Sequence, residues 1–181
     1  MQRGVRVLAG SSDDIDATGD ADLDVEQLQE ALDSAISIEN YSEAARLRDL
    51  LNSQIDDRMI GILGAHSAFY NAFKNLDIKA MSKVWGEGEA VRCTHPGGLC
   101  IYGRNKVLSS WESIFNVATS MEIRYDPDEV KVHINGEIAF TTCAELVESN
   151  GVVVAKFNAT NIFERQQGEW KIVHHHGNAA R

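Results

Sequence analysis

Apolar residues recur along this chain with two different spacings, and the change from one to the other divides it. From residue 24 to 56, Leu28, Leu32, Ala35 and Ile36 return at three- and four-residue intervals, and Ala44, Leu47, Leu51 and Ile55 repeat the pattern. Each set marks one face of a helix. Glu39-Asn40-Tyr41-Ser42 between them reads as a turn, with Ser42 as the N-cap of the second helix. Two short antiparallel helices with facing apolar stripes make a helical hairpin over residues 23–56. It is too small to bury a sufficient core alone.

Beyond residue 56 the pattern lengthens and then changes period. Met59, Ile62, Leu63, His66, Phe69, Tyr70 and Phe73 form one face of a long helix, expected to continue through Leu76 towards Trp85. A strand is expected over residues 90–94, followed by a turn at His95-Pro96-Gly97-Gly98, where proline sets φ and the glycines permit positive φ. Val107, Leu108, Trp111, Ile114, Phe115 and Ala118 then mark a second helix. The remainder reads as strands over 129–134, 138–147, 152–163 and 170–176, joined at Asn135-Gly136, Asn150-Gly151 and Gln167-Gly168, which are hairpin turn signals. Helices followed by a strand meander imply an α+β fold, with the helices covering one face of an antiparallel sheet over residues 57–181.

Residues 1–22 carry neither pattern. Arg3 and Arg6 stand in an acid-free start, followed by Ser11, Ser12, Asp13, Asp14, Asp16, Asp20 and Asp22. So few large apolar residues predict a disordered acidic leader or linker. The basic start resembles the end of an organelle transit peptide, with Val7-Leu8-Ala9 before Gly10 as a loose plastid processing site, so an intracellular, soluble protein of the plastid stroma or cytoplasm is expected. Charge sharpens the division: the net −10 of the 181 residues is almost all in residues 1–60, which sum to −9. The rest is a nearly neutral globule. No basic stripe exists for nucleic acid or acidic membranes, and no apolar run approaches the length of a membrane span. Three cysteines without a CxxC pair argue for reduced thiols.

Two resemblances follow from particular residues. The run LQEALDSAISIENYSEAARLRDLL resembles the UVR motif, a helical hairpin matched here by Leu28, Leu32, Ala35, Glu39, Tyr41, Ala44, Ala45, Leu47, Arg48 and Asp49. That resemblance implies docking of a protein partner, with Leu28, Leu32, Tyr41, Leu47 and Arg48 as the partner-binding residues. HPGG, then YGRNKVLSSW, then the closing GEWKIVHHHGN resemble in that order the NTF2-like superfamily, particularly its SnoaL-like branch, over residues 57–178. The implied fold is a cone of curved antiparallel sheet wrapped on a long helix, open to a pocket at one end and often dimeric through the sheet, so a homodimer is expected.

Candidate chemistry is sparse. In a strand over 170–176, alternation sets Trp170, Ile172, His174 and His176 on one face and Lys171, Val173 and His175 on the other. The face with Trp170 and Ile172 is the better core face. His174 and His176 are therefore expected at the pocket wall, and His175 exposed or in a subunit interface. Three adjacent histidines on alternating faces cannot share one ion, and no carboxylate completes a pair. Cys93, His95 and Cys100 lack a fourth ligand, so no metal or cofactor is expected. His66 reads as a core residue and His133 as solvated. Asn161 interrupts the row Val153, Ala155, Phe157, Ala159, Asn161, Phe163 and is either a hydrogen-bond hub or a ligand contact. The expected ligand pocket is thus Tyr70, His95, Trp111, Asn161, His174 and His176. Proton abstraction beside a carbonyl would need an inward acid; Glu145 and Glu164 are the strand candidates, and alternation assigns neither a direction. There is no GxSxG, GxGxxG or phosphate loop.

The favoured function is a non-catalytic adaptor or ligand-binding protein, in which the hairpin docks a protein and the cone dimerises or holds a small apolar ligand. A small cofactor-independent isomerase, cyclase or dehydratase using pocket histidines is the rival. A DNA-repair-associated factor, by analogy with the UVR hairpin, is disfavoured by the acidic charge.

Overall fold

The computed structural model describes residues 23–118 and 121–180; the expected leader, residues 1–22, lies outside them. The described residues form two compact units, one ending at Ser53 and the other beginning at Gln54. In the first, α1 (Val25–Ser37) opens on a capping box: Gln27 N–H donates to the Asp24 carboxylate at 2.9 Å and Asp24 N–H to Gln27 Oε1 at 3.0 Å. These bonds satisfy donors that a helix start otherwise leaves free. Leu28, Ala35, Ala44, Leu47 and Leu51 make the buried seam, with Leu32 packed against it. The second helix, α2 (Tyr41–Lys74), begins one residue before the expected cap. Asn40, not Ser42, occupies that position, its side-chain oxygen accepting from Glu43 N–H at 3.3 Å.

In the second unit α2 presents Ile62, His66, Phe69 and Tyr70 to the core. The expected continuation to Trp85 is broken at Leu76, which adopts φ 52°. Asp77 then caps α3 (Ile78–Val84) by accepting from Lys79 and Ala80 N–H. A side chain that bonds backbone donors two and three residues ahead restarts a helix instead of extending one. The strand β1 (Arg92–Thr94) and the two-residue β2 (Ile101–Tyr102) precede α4 (Arg104–Val117), which buries Val107, Trp111 and Phe115.

Five further strands follow: β3 (Met121–Tyr125), β4 (Lys131–Asn135), β5 (Ile138–Ser149), β6 (Val152–Gln166) and β7 (Glu169–Ala179). All three expected hairpin turns are present, with positive φ at Gly136, at Asn150 and Gly151, and at Gln167 and Gly168. Sequence patterning missed β2 and β3. It also began the strand at 129 too early, because Pro127–Glu129 is a 3-10 turn separating β3 from β4. The sheet order is β2-β1-β7-β6-β5-β3, with β4 beside β3 on the same edge of β5. Pairing is antiparallel throughout except β1 with β7, which is parallel. Register shifts between Val147 and Glu148 on β5 and between Ile162 and Phe163 on β6 bend the strands, as bulges do.

The second shift decides which histidines face the core. Phe163 pairs with Ile172, yet the adjacent Ile162 pairs with His174, so Val173 is an extra residue on β7. Alternation is reset there. Trp170, Ile172, His175 and Gly177 face inward, while His176 is exposed and His174 half-buried. This reverses the expectation for all three histidines. A uniform period of two cannot anticipate one inserted residue. No helix of the described residues is long and apolar enough to cross a membrane.

Candidate functional site

Between α2, α4 and the inner face of the sheet lies a largely aromatic interior with two polar clusters. The first joins α2 to β5. His66 Nδ1 lies 2.9 Å from Thr141 Oγ1, and the Tyr70 hydroxyl donates to Glu145 Oε1 at 2.7 Å while lying 3.3 Å from Cys143 Sγ. Alternation from Ala139 through Thr141 and Cys143 carries Glu145 inward, so the address left open by the sequence is settled. Glu164 is exposed. Tyr125 closes this cluster, its ring 4.8 Å from His66 and 4.5 Å from Tyr70.

The second cluster joins β6, β7 and α4. His175 Nδ1 lies 2.7 Å from Asn161 Oδ1. A carbonyl oxygen only accepts, so His175 holds its proton on Nδ1. The imidazole is 5.1 Å from Phe69 and 5.8 Å from Trp111, ring to ring. His95, carried on the turn after β1, stands edge-on to Trp111 at 4.6 Å, and its Nε2 lies 2.9 Å from Ser110 Oγ. Asn161 is fully buried and Trp111 nearly so. Among the described residues, Asn161 Nδ2, the Trp111 indole N–H and His66 Nε2 have no hydrogen-bond partner. Each such buried group costs about 1–3 kcal/mol when left unpaired.

Burial sets the protonation of both clusters. It lowers His66 to about 4 and His175 to about 3 and lowers His95 as well. It raises Cys143 to about 11, raises Cys93, and lifts Tyr70 far above the phenol range with help from the Glu145 charge. Glu145 itself is raised by burial, against the opposing hydrogen bond from Tyr70. Every one of these shifts favours the neutral form, because low-polarity surroundings penalise charge.

Of the expected pocket residues, Tyr70, His95, Trp111 and Asn161 meet in this interior. His174 and His176 do not; they share the outer face, rings 6.4 Å apart. Burial and the nearby His176 and Arg92 charges lower His174. His175, His66, Thr141 and Glu145 take their places. Thr141 and Glu145 sit on one alternating row of β5 that patterning offered without choosing. In the hairpin, Leu28 and Leu47 are buried in its own seam and Leu32 partly so, which leaves Tyr41 and Arg48 as the exposed members of the expected partner-binding set. Arg48 is paired with Asp49 at 2.7 Å. The described residues contain no cluster of three His, Cys, Asp or Glu able to hold an ion. Cys93, Cys100 and Cys143 are free thiols.

Residues 62–180 match the model of the SnoaL-like domain. The chain belongs to the SnoaL-like family. A solved structure from Streptomyces avermitilis, titled a "putative dehydratase from the NTF2-like family", is 28% identical, covers 70% of this chain and 98% of its own, and superposes with a TM-score of 0.63. A protein of unknown function with a cystatin-like fold from Nostoc punctiforme is 9% identical over 67% of this chain and 90% of its own, with a TM-score of 0.57, a likeness of fold alone. The F-box protein SKIP8 of Arabidopsis thaliana is 28% identical over 115 residues, 64% of this chain. The chain spans about half the length of that relative, 48%. The SnoaL-like match thus begins inside α2 and includes both polar clusters, and it leaves the hairpin outside.

Proposed function

We propose that the SnoaL-like domain is a non-catalytic binding module for a small, neutral, largely apolar ligand bearing a hydrogen-bond acceptor such as a carbonyl. The observation that carries this is the pair of unpartnered donors, Asn161 Nδ2 and the Trp111 N–H, on two side chains that both neighbour neutral His175, with Phe69 beside them. A ligand acceptor supplies what the protein leaves unmet, and mostly apolar walls with a few directed polar groups suit such a ligand. The protonation states support binding over proton transfer: a general base works best with a pKa near the operating pH, and burial holds His66 and His175 well below it. The hairpin then serves to dock a protein partner through its exposed side chains, Tyr41 and Arg48 with Ile36 and Ile38 beside them. The outer face of the sheet is the expected surface for a homodimer. Cyclohexanone and tetralone, titrated into the full chain, are expected to shift the Trp111 indole N–H resonance, and Asn161→Leu to abolish the shift. An unmoved Trp111 signal, or equal binding by the variant, would overturn the reading.

Glu145 favours a second reading. Its shift brings a carboxyl towards neutrality beside the Tyr70 hydroxyl, and the Streptomyces relative is titled a dehydratase. An acid–base enzyme of this kind would lose turnover in Glu145→Gln while retaining ligand.

A further inference from the structure

Two glycines stand within α2, where each costs about 1 kcal/mol relative to alanine. Gly61 has a packing reason, because a Cβ there would come within 2.8 Å of Trp170 Cδ1. Gly64 has none: a Cβ would meet nothing within 4 Å. Its effect is to leave room. With Ala65 and Ala68 it lies on a flank of α2 beside the buried face, by helical spacing. The room is a groove of about 530 Å³ whose walls include these three residues, Val84 of α3, Trp170 of β7, and Lys83 and Lys171. That volume falls in the range of small-molecule sites, about 300–1,000 Å³.

A polar pocket of about 700 Å³ adjoins it. The two share Lys83, Glu169 and Lys171, and the pocket adds Arg104, Gln166 and Trp85. Lys171 Nζ donates to Lys83 O at 2.9 Å, which ties β7 to α3 along the shared wall. The Arg104 guanidinium is fixed by Ser82 O at 2.7 Å. Trp85 is 1% exposed, and its indole N–H has no partner among the described residues. Three cations from three elements therefore converge here. Their carboxylate partners, Glu87 with Arg104 and Glu169 with Lys171, have side chains 79% and 70% exposed, so water can take them when another anion arrives. Lys83 has no ion pair among the described residues.

We propose that the groove and pocket together form a second small-molecule site, one that takes an amphipathic carboxylic acid. Its apolar body lies along Gly64, Ala65, Ala68 and Trp170, and its carboxylate meets Lys83 and Arg104. A fixed guanidinium matches a carboxylate in plane and charge, and the acid's tail covers apolar wall that Gly64 leaves bare. The site is separate from the interior clusters, so the two readings stand or fall independently.

Calorimetric titration of the full chain with octanoate and with octanol tests it. Octanoate is expected to bind about tenfold more tightly than octanol, the order of one charge-assisted hydrogen bond. Lys83→Glu should erase that preference. Gly64→Leu projects a side chain into the open groove and replaces a poor helix former, so its thermal midpoint should hold or rise while octanoate binding is lost. Octanoate binding that survives Gly64→Leu, or that never exceeds octanol, overturns the site. Binding lost in Asn161→Leu but kept in Gly64→Leu would place the acid in the interior, overturning this proposal and leaving the interior ligand site standing.

Discussion

Replacing each histidine of the His174–His176 run by alanine measures the bulge at Val173. His175 is 2% exposed and gives Asn161 its partner at 2.7 Å, packed against the Phe69 and Trp111 rings. His175→Ala removes the ring from a packed aromatic setting and leaves both polar atoms of Asn161 unmet. An unsatisfied buried polar group costs about 1–3 kcal/mol. With the cavity left by the ring, a total of about 3–5 kcal/mol is expected, the range of the severe single replacements. His174→Ala and His176→Ala touch the outer face and should each stay within about 1 kcal/mol. Urea unfolding with a common m-value reads the three as shifts of midpoint. Acid adds an independent check. His175 and His66 sit near 3 and 4 in the folded chain against an ordinary 6.5, so the unfolded chain binds more protons between those limits. Stability is therefore full above about pH 6.5 and falls as the pH drops through that window. From about pH 7 to pH 5.5 the loss is about 1 kcal/mol for each buried histidine, and a His175 variant should lose correspondingly less. If His176→Ala or His174→Ala costs as much as His175→Ala, β7 has no bulge and the interior site is wrongly built.

Two further outcomes follow from local geometry. Glu145 is raised by burial, so its contribution is present below its unfolded value and lost as the pH rises through the folded one. Glu145→Gln keeps an acceptor for the Tyr70 hydroxyl without the charge, and should raise the thermal midpoint near pH 8 with the gain shrinking towards pH 4; a lower midpoint near pH 8 contradicts the buried carboxyl. Glu39 ends the turn after α1 at φ 58°, a conformation glycine adopts without strain, so Glu39→Gly should stabilise the hairpin by about 1 kcal/mol in thermal unfolding. No gain would mean the turn is relaxed with a side chain.

Hydrophobic spacing made the buried faces of the helices, the three hairpin turns and the α+β class legible, because each depends on a local period or a local φ preference. It did not show that the second hairpin helix and the long helix are one, Tyr41–Lys74, or that α3 stands apart. Four of the six expected pocket residues lie in the interior for the same reason: Tyr70 and Trp111 sit on helix faces marked by their neighbours, Asn161 sits on an alternating row, and His95 follows inward Cys93 by alternation. What the sequence could not show depends on events between strands. The extra residue at Val173 exists only relative to β6, and it moves His174 and His176 out while moving His175 in. Glu145 was ambiguous because both faces of β5 are plausible cores, and only its pairing on both sides decides between them. Strand β2, two residues long, carries no period at all. The capping of α3 by Asp77 is legible in hindsight, as an Asp after a polar Asn75, but the apolar spacing through Leu76 masks it.

The sheet edges carry a consequence for behaviour at high concentration. At one end β2 is only two residues long, and at the other the Pro127–Glu129 turn splits the edge into β3 and β4. Both arrangements blunt templated pairing with a second chain. Among the described residues, the β5–β6 hairpin lacks that protection near its tip. Pairing of β7 with β6 extends to Phe157 with Ala179, and the Ala180 amide reaches Lys156 O. Among the described residues, positions 152–155 therefore have no neighbour on that side. Val152, Val153 and Val154 there are 64%, 49% and 57% exposed, a run of high strand propensity with no charge until Lys156. Aggregation by strand addition has its natural starting point in those few residues, and Lys156 stands at their inner end as the gatekeeper that limits how far an added strand can zip.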